Sequence, residues 1–283
     1  MKNFNTLIDL YSIIKSKKPT LKVPRFFVRV LSRIVKVHKV NDLLTKCGMY
    51  EGTDFIDHAF SDYFNVNIIV HGLENVQYLD PSAHKLLFAA NHPLGGLDGL
   101  AVIAQVNKLF GPAKGIVNNL LLHIGSLRSV FCGVNLYGAN SKEIASELDD
   151  LYASSTNVCV FPAGMVSRKI DGRVTDLPWK KNFIVKSLEY RRIIVPVYVQ
   201  AHNSRFFYFI ADLRKKLGIK FNYELVLLPS EVFKFKKKNI DLWFGKPVFP
   251  EMLDSLEGTD KRVDFVRELV YTTKRDINQT VKL

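Results

Sequence analysis

Two short segments of the chain hold residues able to do acid–base chemistry. The first is Leu86-Leu87-Phe88-Ala89-Ala90-Asn91-His92-Pro93-Leu94-Gly95-Gly96-Leu97-Asp98-Gly99. An apolar run ends in Asn91-His92, a Pro/Gly turn follows, and Asp98 stands at the head of a helical stretch. An imidazole with the ordinary pKa of about 6.5 accepts a proton from a hydroxyl at neutral pH. A carboxylate folded back onto the other ring nitrogen fixes the tautomer and stabilises the imidazolium. Gly95 and Gly96 suit a tight reversal and leave room for substrate beside the backbone. The same residues also suit a plainer role, a turn histidine with Asp98 as N-cap of a helix over Gly99–Phe110.

The second segment is Val158-Cys159-Val160-Phe161-Pro162-Ala163-Gly164-Met165-Val166-Ser167-Arg168. Backbone N–H groups at its Phe161-Pro162-x-Gly164 turn suit an oxyanion or an anionic head group, although such a turn is also a common strand exit. Ser167 is a rival nucleophile, but it lacks a nucleophile-elbow context. Arg168, Lys169, Lys180 and Lys181 are candidates for an acceptor's anionic head, and each is equally suited to be a solvated surface cation. Trp179 reads as packing. Cys47, Cys132 and Cys159 have neither metal-ligand nor redox spacing and read as buried filler in a reducing cytosol; no secretory signal is recognised.

These residues need a frame. Residues 1–64 read as a helical appendage, and the pattern from residue 65 to 283 as one α/β domain. Strands are expected over Val66–Val70, Lys85–Ala90, Gly115–Val117, Val130–Tyr137, Asn157–Phe161 and Ile193–Val199. Helices are expected over Gly99–Phe110, Ser141–Ala153, Lys180–Glu189, Ser204–Leu217 and Lys261–Asn278. Such alternation implies a mostly parallel central sheet flanked by helices. Tyr223–Leu228 and Ile240–Phe244 read as further strands at the sheet edge.

Of 283 residues, 47% are hydrophobic and 24% charged, which excludes disorder and coiled coil. The net charge of +13 predicts anionic company. No window approaches the roughly 20 apolar residues needed to span a bilayer. The stretch from Pro24 to Lys36 places Phe27, Val30, Leu31, Ile34 and Val35 on one helix face and Arg25, Arg29, Arg33 and Lys36 on another. With Phe26 it suits an anionic bilayer interface, or a surface helix with its cations in water. Lys234, Lys236, Lys237 and Lys238, interleaved with Phe233 and Phe235, form a second basic–aromatic patch, suited to lipid or carrier or to a charged edge protected from aggregation. The cations are otherwise scattered, with no helix-turn-helix, zinc or aromatic RNA-binding signature, so nucleic acid is not expected as a partner.

Taken together, the two segments, about 70 residues apart, resemble the glycerolipid acyltransferase family of the lysophosphatidic-acid acyltransferase type. That family carries Asn-His-x4-Asp in its first block, Phe-Pro-Glu-Gly-Thr-x-Ser in its third and Val-Pro-Val in its fourth. The last is matched by Ile194-Val195-Pro196-Val197-Tyr198-Val199, while Phe131-Cys132-Gly133-Val134-Asn135 matches the second block poorly. The resemblance covers roughly residues 66–200. Asp98 falls six positions after His92 rather than five, and Ala163 stands where the third block has its glutamate. With Asp176-Leu177-Pro178-Trp179-Lys180-Lys181, these departures are similar to a bacterial branch that carries a hemolysin label and includes O-acyltransferases of glycine and ornithine lipids. Nothing in the chain suggests a pore.

The resemblance implies acyl transfer from a thioester to the hydroxyl of a lyso-lipid, with His92 as base and Asp98 as its orienting acid. The acceptor it favours is an N-(3-hydroxyacyl) amino-acid lipid, because the glutamate associated with gripping glycerol phosphate is absent. Lysophosphatidic acid is the alternative acceptor, and a non-enzymatic basic protein binding membrane or nucleic acid is the alternative class. No cofactor is expected, only acyl-acyl carrier protein or acyl-coenzyme A as co-substrate, and the site is expected at the cytoplasmic face of the inner membrane. An acidic carrier protein and an anionic leaflet would both attract a +13 chain.

Overall fold

The computed structural model describes residues 7–280 apart from residues 18–19, 21, 136–140 and 220–221. Helices α1 (Leu10–Lys17), α2 (Arg25–Ile34), α3 (Val37–Cys47) and α4 (Gly52–His58) precede the first strand. The strands are β1 (Asn67–His71), β2 (Leu86–Ala90), β3 (Ala113–Asn118), β4 (Phe131–Val134), β5 (Asn157–Val160), β6 (Arg168–Ile170), β7 (Arg173–Thr175), β8 (Ile193–Gln200) and β9 (Asn239–Phe244). Between and after them run α5 (Leu97–Phe110), α6 (Lys142–Ala153), α7 (Asn182–Glu189), α8 (Arg205–Lys216), α9 (Leu228–Lys234), α10 (Pro250–Asp254) and α11 (Thr259–Thr280).

Seven strands form one sheet in the order β1-β9-β8-β2-β5-β3-β4, and only the β8–β9 pair is antiparallel. The sheet is therefore mostly parallel, as the strand–helix alternation predicts. The carboxyl ends of β5, β2 and β8 lie side by side, and the amino end of β9 meets the same edge because Gln200 pairs with Asp241. β2 is buried on both faces, as parallel strands between helical layers must be. Its Leu86, Phe88 and Ala90 join the layer that holds α5, and Leu87 and Ala89 join the layer of α6, α7 and α11.

Leu44, Cys47, Phe55, Ile56, Phe60 and Phe64 belong to the same core as β2 and α5. The change at residues 64/65 is thus a change of secondary structure within one core. Two strand expectations are corrected. Tyr223–Leu228 is a 3-10 turn running into α9, because Pro229 starts a helix and the run holds one β-branched residue, Val226. Ile240–Phe244 is a strand, but β9 lies between β1 and β8, so β1 forms that edge. Leu136 and Tyr137 of the expected Val130–Tyr137 strand lie outside the described residues, and Val130 closes a 3-10 turn before β4.

A fully buried Arg192 ties the frame together. It donates to the carbonyls of Leu151, Tyr152 and Ser154 at the end of α6, to Thr156 and to Leu86 of β2, at 2.7–3.0 Å. The negative end of the α6 dipole suits a cation there, while burial pushes the guanidinium pKa down to about 10.

Candidate active site

His92 stands two residues beyond β2, and its Nδ1 lies 3.1 Å from Asp98 Oδ2. The turn between them is closed by the carboxylate itself. Oδ2 accepts from the N–H groups of Leu94 (2.8 Å) and Gly95 (3.2 Å), and Oδ1 from those of Gly96 and Gly99 (both 2.9 Å). Gly95 takes a left-handed φ of 76°, which a residue without a Cβ adopts at little steric cost. Asp98 sits in the first turn of α5, where the helix dipole and the converging amides favour an anion. The plainer expectation is corrected in detail: α5 begins at Leu97 with Gly96 as its N-cap, so Asp98 is a first-turn residue rather than the cap, and its carboxylate ties the preceding turn while facing the imidazole.

Burial raises the pKa of Asp98, but His92 and the amides outweigh it and hold the carboxyl below the usual carboxylate range. For His92 burial acts downward, yet Asp98 and then Asp176 outweigh it and the net shift is upward. An ionised Asp98 accepts only, so the neutral ring carries its proton on Nδ1 and leaves Nε2 as acceptor. The His92 side chain is 19% exposed against 0% for Asp98, and the Phe161 ring lies 4.5 Å from the imidazole.

Asp176 was not singled out as a site residue, and it builds the floor. Its Oδ1 accepts from the His92 backbone N–H (3.1 Å) and from Ser167 Oγ (2.5 Å), and its Oδ2 from Trp179 Nε1 (2.9 Å). Its own N–H donates to Tyr271 on α11, and Ser167 N–H donates to the His92 carbonyl. Its signal in the sequence is the Asp-Leu-Pro-Trp run. The hairpin β6–β7 that delivers it was also missed, and its signal is Asp171-Gly172, both at positive φ as a two-residue turn demands. Asn203 was missed too; its Nδ2 donates to the Pro93 carbonyl.

The other expected site residues divide. Phe161, Pro162 and Gly164 lie on the turn after β5, with Gly164 N–H donating to the Phe161 carbonyl, so that amide is not free for an oxyanion. Lys180 joins this turn: its N–H donates to the Pro162 carbonyl, and Nζ lies 3.2 Å from where a Cβ on Gly164 would stand. Several expectations are corrected. Asn91, expected beside the substrate, is buried and exchanges hydrogen bonds with the Val199 backbone, extending the β2–β8 pairing. The room beside Gly95 is filled by Val166 and Leu228, and Val232 lies against Gly96, so α9 rather than substrate covers the turn. Ser167 is buried on Asp176. Arg168 is buried, with NH2 2.9 Å from Glu224 and NH1 on the Val166 carbonyl, and is not offered to a head group. Lys169 is exposed on β6, and Lys181 pairs with Asp260. Burial pushes the Cys132 thiol up to about 11 and Cys159 higher still, so neither resembles an activated nucleophile. A cleft of about 430 Å³ beside Asp54 and Lys114 opens at the amino end of β3, the edge opposite His92.

An imidazole steered by a buried carboxylate, at the carboxyl edge of a mostly parallel sheet, leaves a ring nitrogen that can accept a proton from a hydroxyl. The chain belongs to the acyltransferase family, whose pattern matches residues 12–280, and it is an acyltransferase. It is 35% identical over 268 residues to the lyso-glycine lipid O-acyltransferase of Phocaeicola vulgatus, covering 94% of each chain. It is 34% identical to the protein of the same name from Bacteroides thetaiotaomicron, covering 94% of this chain and 97% of that one. The crystal structure of the 1-acyl-sn-glycerophosphate acyltransferase from Thermotoga maritima superimposes with a TM-score of 0.49 at 18% identity, covering 95% of this chain and 88% of that one.

Proposed function

We propose that this acyltransferase esterifies the free hydroxyl of a lyso-glycine lipid with a fatty acyl group from a thioester. The names and near-complete coverage of its 34–35% identical relatives support the acceptor. The observation that carries the chemistry is the 3.1 Å His92–Asp98 contact, which leaves Nε2 as the free base. Nε2 takes the hydroxyl proton as that oxygen attacks the thioester carbonyl. The new C–O bond forms, the C–S bond breaks, and the departing thiolate recovers the proton from His92, so no acyl-enzyme is required. Lys180, beside the Gly164 turn, is the cation we assign to the glycine carboxylate.

Among the described residues no helix is long and apolar enough to cross a membrane. On α2, Phe26 and Phe27 are each 68% exposed beside Arg25, Arg29 and Arg33, which supports peripheral seating on an anionic membrane surface, and the surface we propose is the cytoplasmic face of the inner membrane. The net charge of +13 suits an acidic acyl carrier protein as donor carrier, the donor we propose. The test offers purified enzyme one acyl-carrier donor with lyso-glycine lipid and lysophosphatidic acid in parallel, and reads product by mass spectrometry. Faster esterification of the glycine compound is expected; faster esterification of the phosphate compound overturns the reading.

A further inference from the structure

Helix α8 is apolar on two opposite faces. Inward, Phe207, Tyr208 and Ala211 are buried. Outward, Phe206 is 54%, Phe209 59%, Leu213 39% and Leu217, the residue that ends the helix, 63% exposed. At about 100° per residue these four positions fall within an arc of roughly 80°. Exposed Arg205 and Lys216 border the stripe, exposed Lys215 lies further round, and Lys234 Nζ stands 5.8 Å from the centre of the Phe206 ring. A contiguous apolar stripe rimmed by cations marks an interaction surface, and its chemistry fits an anionic lipid leaflet.

Its place in the fold ties it to the catalytic turn. β8 delivers α8 to the sheet edge that holds His92, and Asn203, just before the Ser204 cap, donates to the Pro93 carbonyl. Ser204 also binds Glu231 of α9, the helix whose Leu228 and Val232 lie over Gly95 and Gly96. The basic run Lys236–Lys238 precedes β9 and so reaches the same edge. We propose that α8 is a lipid-inserting helix, which lays its Phe206–Leu217 stripe into an anionic bilayer and seats the His92 edge at the membrane surface. An acidic carrier protein would engage the cations and leave the stripe uncovered, whereas an anionic leaflet meets both, its head groups the cations and its acyl chains the stripe. The inference rests on the proposed function only for the lipid nature of the acceptor.

The test uses the full chain and vesicles of equimolar phosphatidylethanolamine and phosphatidylglycerol. Phe209→Ser/Leu217→Ser should lower the vesicle partition coefficient about tenfold or more, since two large apolar side chains lose their burial. An unchanged coefficient overturns the proposal. Independently, an environment-sensitive dye on Leu217→Cys should shift to the blue when vesicles are added; an unshifted spectrum with bound protein overturns it. Light scattering that shows a dimer disrupted by Phe209→Ser/Leu217→Ser would assign the stripe to a second copy and also overturn it. Turnover of lyso-glycine lipid by the unmodified enzyme in detergent is read in parallel, so a wrong acceptor and a wrong membrane surface give different results.

Discussion

Replacing Asp98 by Asn keeps the shape of the residue and removes its charge. Five donors converge on the native carboxylate, three on Oδ2 and two on Oδ1. An amide has one acceptor oxygen, which the three-donor side attracts; its NH2 group then meets the N–H groups of Gly96 and Gly99 head-on. Two charge-assisted hydrogen bonds at about 1.5–3 kcal/mol each are lost in a fully buried site, so stability should fall by about 3 kcal/mol or more. The imidazolium formed during proton transfer also loses its counter-charge, and kcat/KM should fall by about two to four decades. The pH profile separates this from simple unfolding. His92 must be neutral to act as base, so activity falls as pH drops through its pKa, and the raised value sets that limb above 6.5 in the native enzyme. Without the Asp98 charge burial prevails, and the limb should move to lower pH. The assay is kcat/KM against pH on detergent-dispersed acceptor, with a thermal melt on the same preparation. A variant with native rate and an unmoved acid limb would refute the reasoning.

Asp176→Asn should lower kcat/KM about tenfold and move the acid limb slightly downward, because Asp176 holds the His92 backbone and adds to its upward shift; a pH–rate profile checks both. Ser167→Ala should keep most of its turnover, since Ser167 is buried on Asp176; a loss as large as that of His92→Ala in single-turnover assays would make it the nucleophile. Arg192→Lys cannot reach five carbonyls and should cost about 3 kcal/mol or more in denaturant unfolding.

The candidate site and its central strands were legible because their signals are local. Hydrophobic runs marked β2, β5 and β8, and a Pro/Gly turn held His92 and Asp98 six positions apart. What sequence could not show is which polar groups find each other across the fold. Arg168 reads as a free cation until Glu224, 56 positions away, stands against it. Asp176 carries no site signal of its own until hairpin β6–β7 returns it against the His92 backbone. The antiparallel entry of β9 between β1 and β8 likewise depends on a long connection through α8 and α9, whose patterning marks a helix but not where the chain re-enters the sheet. Gly95 and Gly96 gave correct turn chemistry, but only packing revealed α9 over them.

The proposed chemistry requires the Nε2 atom of His92 to remove the acceptor's proton. Steady-state turnover of His92→Ala, measured on a preparation whose melt matches the native protein, tests it most directly. A rate lower by about two to four decades, with binding of lipid vesicles intact, is expected. A rate within threefold of native would contradict it.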